Sequence, residues 1–411
     1  MRLLYVADGR SPIALNWIRH FVDAGHEVHL VSTYPCSQAL KLASLTVVPV
    51  AFSGMGDPPP GAPMGDAGPR LDARRRSYPG RMGRIRLRSF VRHWLGPLTI
   101  SSAAQRAREI VKAIRPDLVH AMRIPLEGML AARAVGGQPL VLSVWGNDFT
   151  LHARASPGMA IGTRRALRRA DALHADCRRD LLLSHAWGLP QDKPGIVLPG
   201  NGGIRPEIFH SGAPAPPPGS PIAKALGDIP SGVAAVVNPR GFRAYVHNPT
   251  FFRAIPRILE GHPETVFLCP AMADEPLALK WLDRLGIRQS VRLMPKLTAE
   301  EMAAVFRRSQ VMVSPSSHDG TPNTLLEAMA CGAFPVAGDL ESIREWIEDG
   351  VNGLLINPRQ PGDLASAVER ALMDEQLRHR AAEHNLAQVN QRALYEDGMR
   401  QAEALYRRFL A

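Results

Sequence analysis

Short apolar runs alternate with stretches of helical spacing along nearly the whole chain. Leu3–Ala7, Glu27–Ser32, Leu118–Ala121, Pro139–Val144, Ala172–Ala175 and Ile196–Leu198 read as buried strands. Between them, Ile13–Ala24, Ser102–Ile114, Leu126–Val135, Arg164–Ala172 and Arg178–Trp187 carry apolar residues at helical period, and Gly25 is placed to cap the first helix. Residues 211–222, SGAPAPPPGSPI, interrupt the alternation and read as a linker. The alternation then restarts. Val233–Val237, Thr265–Cys269, Val291–Leu293, Val311–Val313 and Phe334–Ala337 are predicted strands. Thr250–Leu259, Pro276–Leu285, Ala299–Arg308, 341–348 and 363–373 are predicted helices. Strand and helix in strict succession predict parallel, doubly wound sheets. The expected architecture is therefore α/β with two Rossmann-like domains facing a cleft, 1–210 and 223–388. A terminal helix within 389–411 is expected to pack back on the first domain.

One stretch breaks the regularity in a way that suggests chemistry. Val311–Ala337 reads strand, small polar loop, helix, strand, and its loop sets Asp319 eight positions before Glu327. Gly320, Thr321, Pro322, Asn323 and Thr324 lie between. Backbone N–H groups at such a loop and helix start favour an anion. Carboxylates do not bind phosphate, so the two acids must touch neutral hydroxyls on either side of it. A sugar nucleotide has this layout: a diphosphate between a sugar and a ribose. In open parallel sheets, ligands bind beyond the C-terminal strand ends. That rule makes His120–Arg123 and Trp145–Asp148 candidate cleft residues. The first turn, DGRSP, lacks the G-x-G-x-x-G of dinucleotide binding, which argues against a nicotinamide cofactor.

At 411 residues two domains are the natural division, and 45% hydrophobic with 21% charged residues is a globular composition. No apolar run reaches membrane-spanning length, and Asp8 interrupts the N-terminal run, which suits a strand better than a signal peptide. Four dispersed cysteines without a CxxC pair suit free thiols in the cytoplasm. The net charge of +11 is concentrated: Arg70–Arg108 holds eleven arginines and one acid, a local +10. This points to a local anionic partner rather than to nucleic acid. Gly- and Pro-rich residues 53–69 precede it as a loop, so 53–100 reads as a mobile, basic insertion. Within 70–95, arginines interleave with Ile85, Leu87, Phe90, Val91, Trp94 and Leu95. The pattern fits a helix on an anionic membrane surface, which would place the protein peripherally at its inner face. An amphipathic helix packed on its own domain is the reading the pattern favours, because such helices usually face a core.

PSSHDGTPNTLLEAMACGAFPVAG, with DLVHAM, LSVWGND, GHEVHLVS and DGVNGLLINPRQPGDLASAVERAL, resembles the GT-B retaining glycosyltransferases of family four. The likeness covers the chain apart from about 53–100. It implies transfer of a hexose from a nucleotide-sugar donor, with retention of configuration and without a metal or cofactor, to an unknown acceptor such as a lipid-linked or cell-surface glycan precursor. By the resemblance, Asp319 faces the transferred sugar, where the family usually has Glu. Glu327 takes the ribose, and the backbone at Asn323, Thr324 and Leu325 takes the diphosphate. Arg240 matches the family's diphosphate arginine. No lysine follows it, leaving Arg243 as the expected second cation and His247 as the other candidate. Trp145 stands where the family often has His, and Met122 where it often has a second His. Trp145, Gly146, Asp148, His120 and Ser11 are the acceptor-side expectation. A GT-B sugar-nucleotide epimerase and a non-catalytic sugar-nucleotide-binding protein are the alternative functions.

Overall fold

A computed structural model describes residues 1–53, 90–212, 216–217, 219–243 and 245–410. The Gly/Pro-rich loop and residues 70–89 of the basic stretch lie outside the described residues. The chain divides into two compact units. Unit 1 comprises Met1–Ala175, Asp180–Val197 and Ala402–Ala411; unit 2 comprises Asp176–Arg179 and Leu198–Gln401.

Unit 1 is built on a seven-stranded parallel sheet: β1 (Arg2–Ala7), β2 (Glu27–Ser32), β3 (Ser44–Val47), β4 (Leu118–Ala121), β5 (Leu140–Val144), β6 (Ala172–Ala175) and β7 (Gly195–Val197). Their order, β3-β2-β1-β4-β5-β6-β7, reverses between β1 and β4. The continuous apolar runs of β1, β4 and β5 follow from burial on both faces. One face carries helices Gly96–Ile114, Met129–Ala134 and Pro157–Arg169 over Leu4, Val6, Val119, Leu142 and Val144. On helix Pro12–Asp23, Trp17 and Phe21 are buried among aromatic rings, and Phe21 stacks on Tyr406. The Tyr406 hydroxyl accepts from the Trp17 indole at 3.1 Å and meets Tyr5 at 3.4 Å and His120 Nδ1. The end of helix Tyr395–Arg407 is thus part of the unit 1 core.

Unit 2 repeats the plan with β8 (Ala235–Val237), β9 (Val266–Cys269), β10 (Val291–Leu293), β11 (Val311–Ser314), β12 (Phe334–Gly338) and β13 (Leu354–Ile356). The order is β10-β9-β8-β11-β12-β13, again all parallel, with the reversal between β8 and β11. Helix 341–348 was expected, but a run of turns occupies those residues. Trp346 and Ile347 are buried there and the Asn352 side chain ties the segment down, so packing overrides the helical spacing. The elements without a counterpart in the apolar pattern include the short helix Pro221–Gly227, which starts inside the expected linker, and also β3, β13 and helix Glu375–Arg392. β3 is only partly buried, β13 is three residues long, and the helix is polar on most of its circumference.

Candidate active site

Each sheet places its candidate chemistry at the strand ends beside its reversal point, where two loops diverge and leave a crevice. In unit 2 these are the loops after β8 and β11. The first is shaped by Asn238 at the strand end, which donates to Asn248 at 3.0 Å, while Asn248 donates to the Gly241 carbonyl at 2.7 Å. The Asn238 side-chain oxygen accepts the Arg240 N–H at 3.2 Å. A backbone bridge between Val246 and Ser316 ties the first loop to the second. The His247 N–H donates to the Pro315 carbonyl at 2.9 Å.

This pinning carries Arg240 to the acid loop. Its guanidinium donates to Asp319 at 2.6 Å and to the Thr324 hydroxyl at 3.4 Å. The pair is largely desolvated, with side-chain exposures of 8% for Arg240 and 14% for Asp319. The loop around Asp319 is braced from its backbone side. Its carbonyl accepts from Arg179 at 2.8 Å and from Ser342 at 2.7 Å. The Thr321 hydroxyl accepts from the Trp346 indole at 3.1 Å. Gly320 lies so close to Asp176 that a Cβ there would sit 2.3 Å from a carboxylate oxygen. Pro322 ends the loop as the cap position of helix Asn323–Ala330. Leu325 is buried in the core, leaving its backbone as the part available to a ligand. One turn in, Glu327 has its carboxyl pushed up to about 7 by burial, against the opposing pull of Arg240.

Arg240, Asp319, Thr324 and Glu327 therefore converge. Arg243 does not join the ion pair: it is exposed and its guanidinium donates to the Tyr245 hydroxyl at 3.1 Å. His247 sits at the cap of helix Asn248–Gly261, its Nε2 buried and unpaired among the described residues. Burial, Arg359 and His318 all depress its pKa. Arg179, Ser342 and Trp346 were not foreseen. The one available signal was Arg179's place just after β6, at another strand end.

In unit 1 the corresponding crevice is a cavity of 310 Å³. Asp8 and Ser11 after β1, Tyr34 after β2, Met122 and Arg123 after β4, and Trp145 after β5 contribute to its wall. Ser11 also caps helix Pro12–Asp23, accepting from Ala14 N–H. Asp148 is fully buried and does not open onto the cavity. Its carboxylate holds Arg123 at 2.8 Å and accepts the N–H groups of Trp145 and Ile124, so it positions the wall rather than meeting a solute. Gly146 is buried in the same turn. His120 is corrected outright as a cleft residue. Its side chain points into the core, where Tyr406 and Ser143 occupy both ring nitrogens. A strand-end position does not reveal which face a side chain takes. The backbone at the cavity is strained, with φ of 147° at Arg123 and 69° at Leu126.

Two doubly wound units, one with an arginine–aspartate pair at a helix start and the other with a polar crevice, define a two-domain protein of the GT-B class. Residues 9–202 match the Glycosyl transferase 4-like domain and residues 245–374 the Glycosyl transferases group 1 domain. The chain belongs to the group 1 glycosyltransferases. It is similar to D-inositol 3-phosphate glycosyltransferase of Corynebacterium jeikeium, at 31% identity over 134 residues, covering 31% of this chain and 32% of that one. The chain spans about a third or less of the curated relatives it matches, 20% to 32% of their length. Among solved structures, sucrose-phosphate synthase from Thermosynechococcus elongatus aligns with a TM-score of 0.74 at 15% identity, over 100% of this chain and 99% of that one. HepE of Anabaena in complex with UDP-glucose aligns with a TM-score of 0.68 at 17% identity, over 98% of each chain. At these identities the structural likeness concerns the fold.

Proposed function

We propose that the protein is a retaining glycosyltransferase that moves a hexose from a nucleotide sugar to an acceptor. The desolvated Arg240–Asp319 pair at the start of helix Asn323–Ala330, with Glu327 one turn inside, carries the reading. The donor's diphosphate lies on the helix N-terminus and draws Arg240 away from Asp319. Asp319, freed of its partner, accepts hydroxyls of the sugar, and Glu327 accepts those of the ribose. The bond from the anomeric carbon to the diphosphate breaks as the acceptor oxygen bonds on the same face. The acceptor's proton passes to the leaving phosphate oxygen. Arg240 neutralises the departing diphosphate in place of a divalent cation, so chelation by EDTA should leave the rate within about twofold. HepE, solved in complex with UDP and with UDP-glucose, makes uridine the first base to test.

The test begins with a thermal-shift screen of UDP-, GDP-, ADP- and dTDP-sugars, followed by proton NMR of the product. An anomeric coupling matching that of the donor is expected. An inverted product would refute retention, and a free epimer without transfer would mark the protein as an epimerase.

A membrane-surface location is supported by exposed Phe90, Trp94, Leu95 and Leu98 beside the arginine-rich stretch. Replacing Phe90, Trp94 and Leu98 together by Ser should abolish co-sedimentation with anionic vesicles. Undiminished sedimentation would end this part of the reading.

A further inference from the structure

The charged side chains around the unit 1 cavity are spent on one another. Arg10 pairs with Asp8 at 2.9 Å, and Arg123 holds Asp148 at 2.8 Å and the Asn147 side-chain oxygen at 2.7 Å. Arg92 donates to the Tyr34 hydroxyl, and the fields of Glu127 and Asp8 offset the burial that disfavours its charge. His93 Nε2 meets His152 Nδ1 at 3.0 Å. Arg10, Arg92 and Arg123 are thus matched by the carboxylates of Asp8, Glu127 and Asp148. A ligand with a net charge would have to break one of these pairings and strand the other member in a partly desolvated wall. The wall suits an uncharged ligand.

Two polar groups on it stay available. The Trp145 indole N–H is buried and has no acceptor among the described residues. Glu127 lines the cavity and accepts the Thr33 hydroxyl at 2.7 Å through Oε1. Apart from that contact and its own backbone N–H, its carboxylate has no hydrogen-bond partner among the described residues.

The backbone is bent to put Glu127 there. After β4 a single wide turn, Ile124–Gly128, is closed by the Gly128 N–H on the Arg123 carbonyl at 2.8 Å. A Cβ at position 128 would stand 3.1 Å from that carbonyl, so glycine lets the turn close. The turn carries Pro125, Leu126 and Glu127 onto the wall at the cost of the positive φ at Arg123 and Leu126. Wide turns of this kind gather at functional sites.

The rest of the wall is apolar. Met122, Pro125, Leu126 and Met159 line it with the Trp145 ring, and methionine adapts to irregular outlines. At 310 Å³ the cavity has room for roughly one or two rings, the low end of ligand pockets. A sugar or polyol, with a hydroxyl on nearly every carbon, would leave most of them unpaired against this surface. An apolar ring with one hydroxyl and one further oxygen satisfies both open groups and leaves none over.

We propose that the unit 1 cavity takes an uncharged alcohol built on an aromatic or alicyclic ring. Its hydroxyl donates to Glu127, a second oxygen accepts from the Trp145 indole, and its body lies on Met122, Leu126 and Met159. Where the second oxygen is itself a hydroxyl, its proton is left for the leaving phosphate. This rests on the glycosyltransferase reading, which makes the ligand the acceptor.

The test is calorimetric titration of the full chain with 4-methoxyphenol and 4-methoxycyclohexanol. Each is compared with its own methyl ether, and both with glucose and glycerol 3-phosphate. At least one ring alcohol is expected to bind more tightly than glucose and glycerol 3-phosphate. It should exceed its ether about tenfold, the loss of one hydrogen bond to a buried acid. Glu127→Leu should erase the difference between alcohol and ether, Glu127→Gln should retain part of it, and Trp145→Phe should weaken both severalfold. Near-UV circular dichroism reports that each variant is folded. The proposal is overturned if neither ring alcohol binds, if glucose or glycerol 3-phosphate binds as tightly, or if the difference survives Glu127→Leu. Glu127-dependent binding without turnover of any nucleotide sugar would keep the ring-alcohol site and remove the glycosyltransferase reading. Sugar transfer to glucose or glycerol 3-phosphate, with no ring alcohol bound, would keep that reading and end this proposal.

Discussion

Asp319 and Arg240 act on each other before either meets a ligand. Because the pair is nearly dry, removing one partner strands the other, at a cost of about 3 kcal/mol by the behaviour of buried pairs. Asp319→Asn should therefore lower both turnover, by about a hundredfold, and stability. The double variant Asp319→Asn, Arg240→Gln should regain part of the lost stability while remaining inactive. Urea denaturation of the four proteins in the cycle measures this coupling, and strict additivity would show that the two side chains are independent. Glu327 makes a separate prediction. Its carboxyl titrates near 7 because burial disfavours the anion. In the proposed donor complex ribose hydroxyls donate to the ionised form, so ligand binding would lower this pKa. Affinity for a nucleoside diphosphate should then rise as pH rises through about 7 and level off above it. Glu327→Gln should give a flat profile over the same range. The acid spacing was legible in the sequence because loop and helix are local. Arg240's contact was not legible from the residues themselves: it spans 79 positions and depends on the bridge between Val246 and Ser316. His120 shows the opposite failure. Its position at a strand end was read correctly, but the face it takes depends on Tyr406, 286 residues away.

Among the elements, the acid loop depends on neighbours for its shape. Glu345 accepts the N–H groups of Arg178 and Arg179, both at 2.9 Å, at the start of helix Arg178–Trp187. That cap fixes the backbone from which Arg179 reaches the Asp319 carbonyl. Glu345→Ala should cost about 1 kcal/mol, the usual worth of a helix cap, and should raise KM for the donor more than it lowers kcat. Gly320→Ala is the sharper probe. Its methyl would meet the Asp176 carboxylate, so the loop must shift and turnover should fall with little change in helix content by circular dichroism. The strands and most helices were readable because doubly buried strands are continuous apolar runs. β13 and helix Glu375–Arg392 were not, since one is too short and the other too polar for periodicity to mark.

Over the whole molecule, unit 1 is assembled from distant parts of the chain, with nearly all of unit 2 lying between them in sequence. The Tyr406 hydroxyl joins Trp17, Tyr5 and His120, so Tyr406→Phe should destabilise unit 1 by about 2 kcal/mol through unsatisfied buried groups. The same arrangement bears on synthesis. Residues 1–175 leave the ribosome roughly 200 residues ahead of Ala402, an interval on the order of 10–40 s at ordinary elongation rates. For that time the place of Tyr406 beside Phe21 and His120 is vacant, whereas unit 2 already has its chain through Gln401 when the last segment emerges. A chain cut short just before Ala402 has all of unit 2 but lacks the last segment of unit 1.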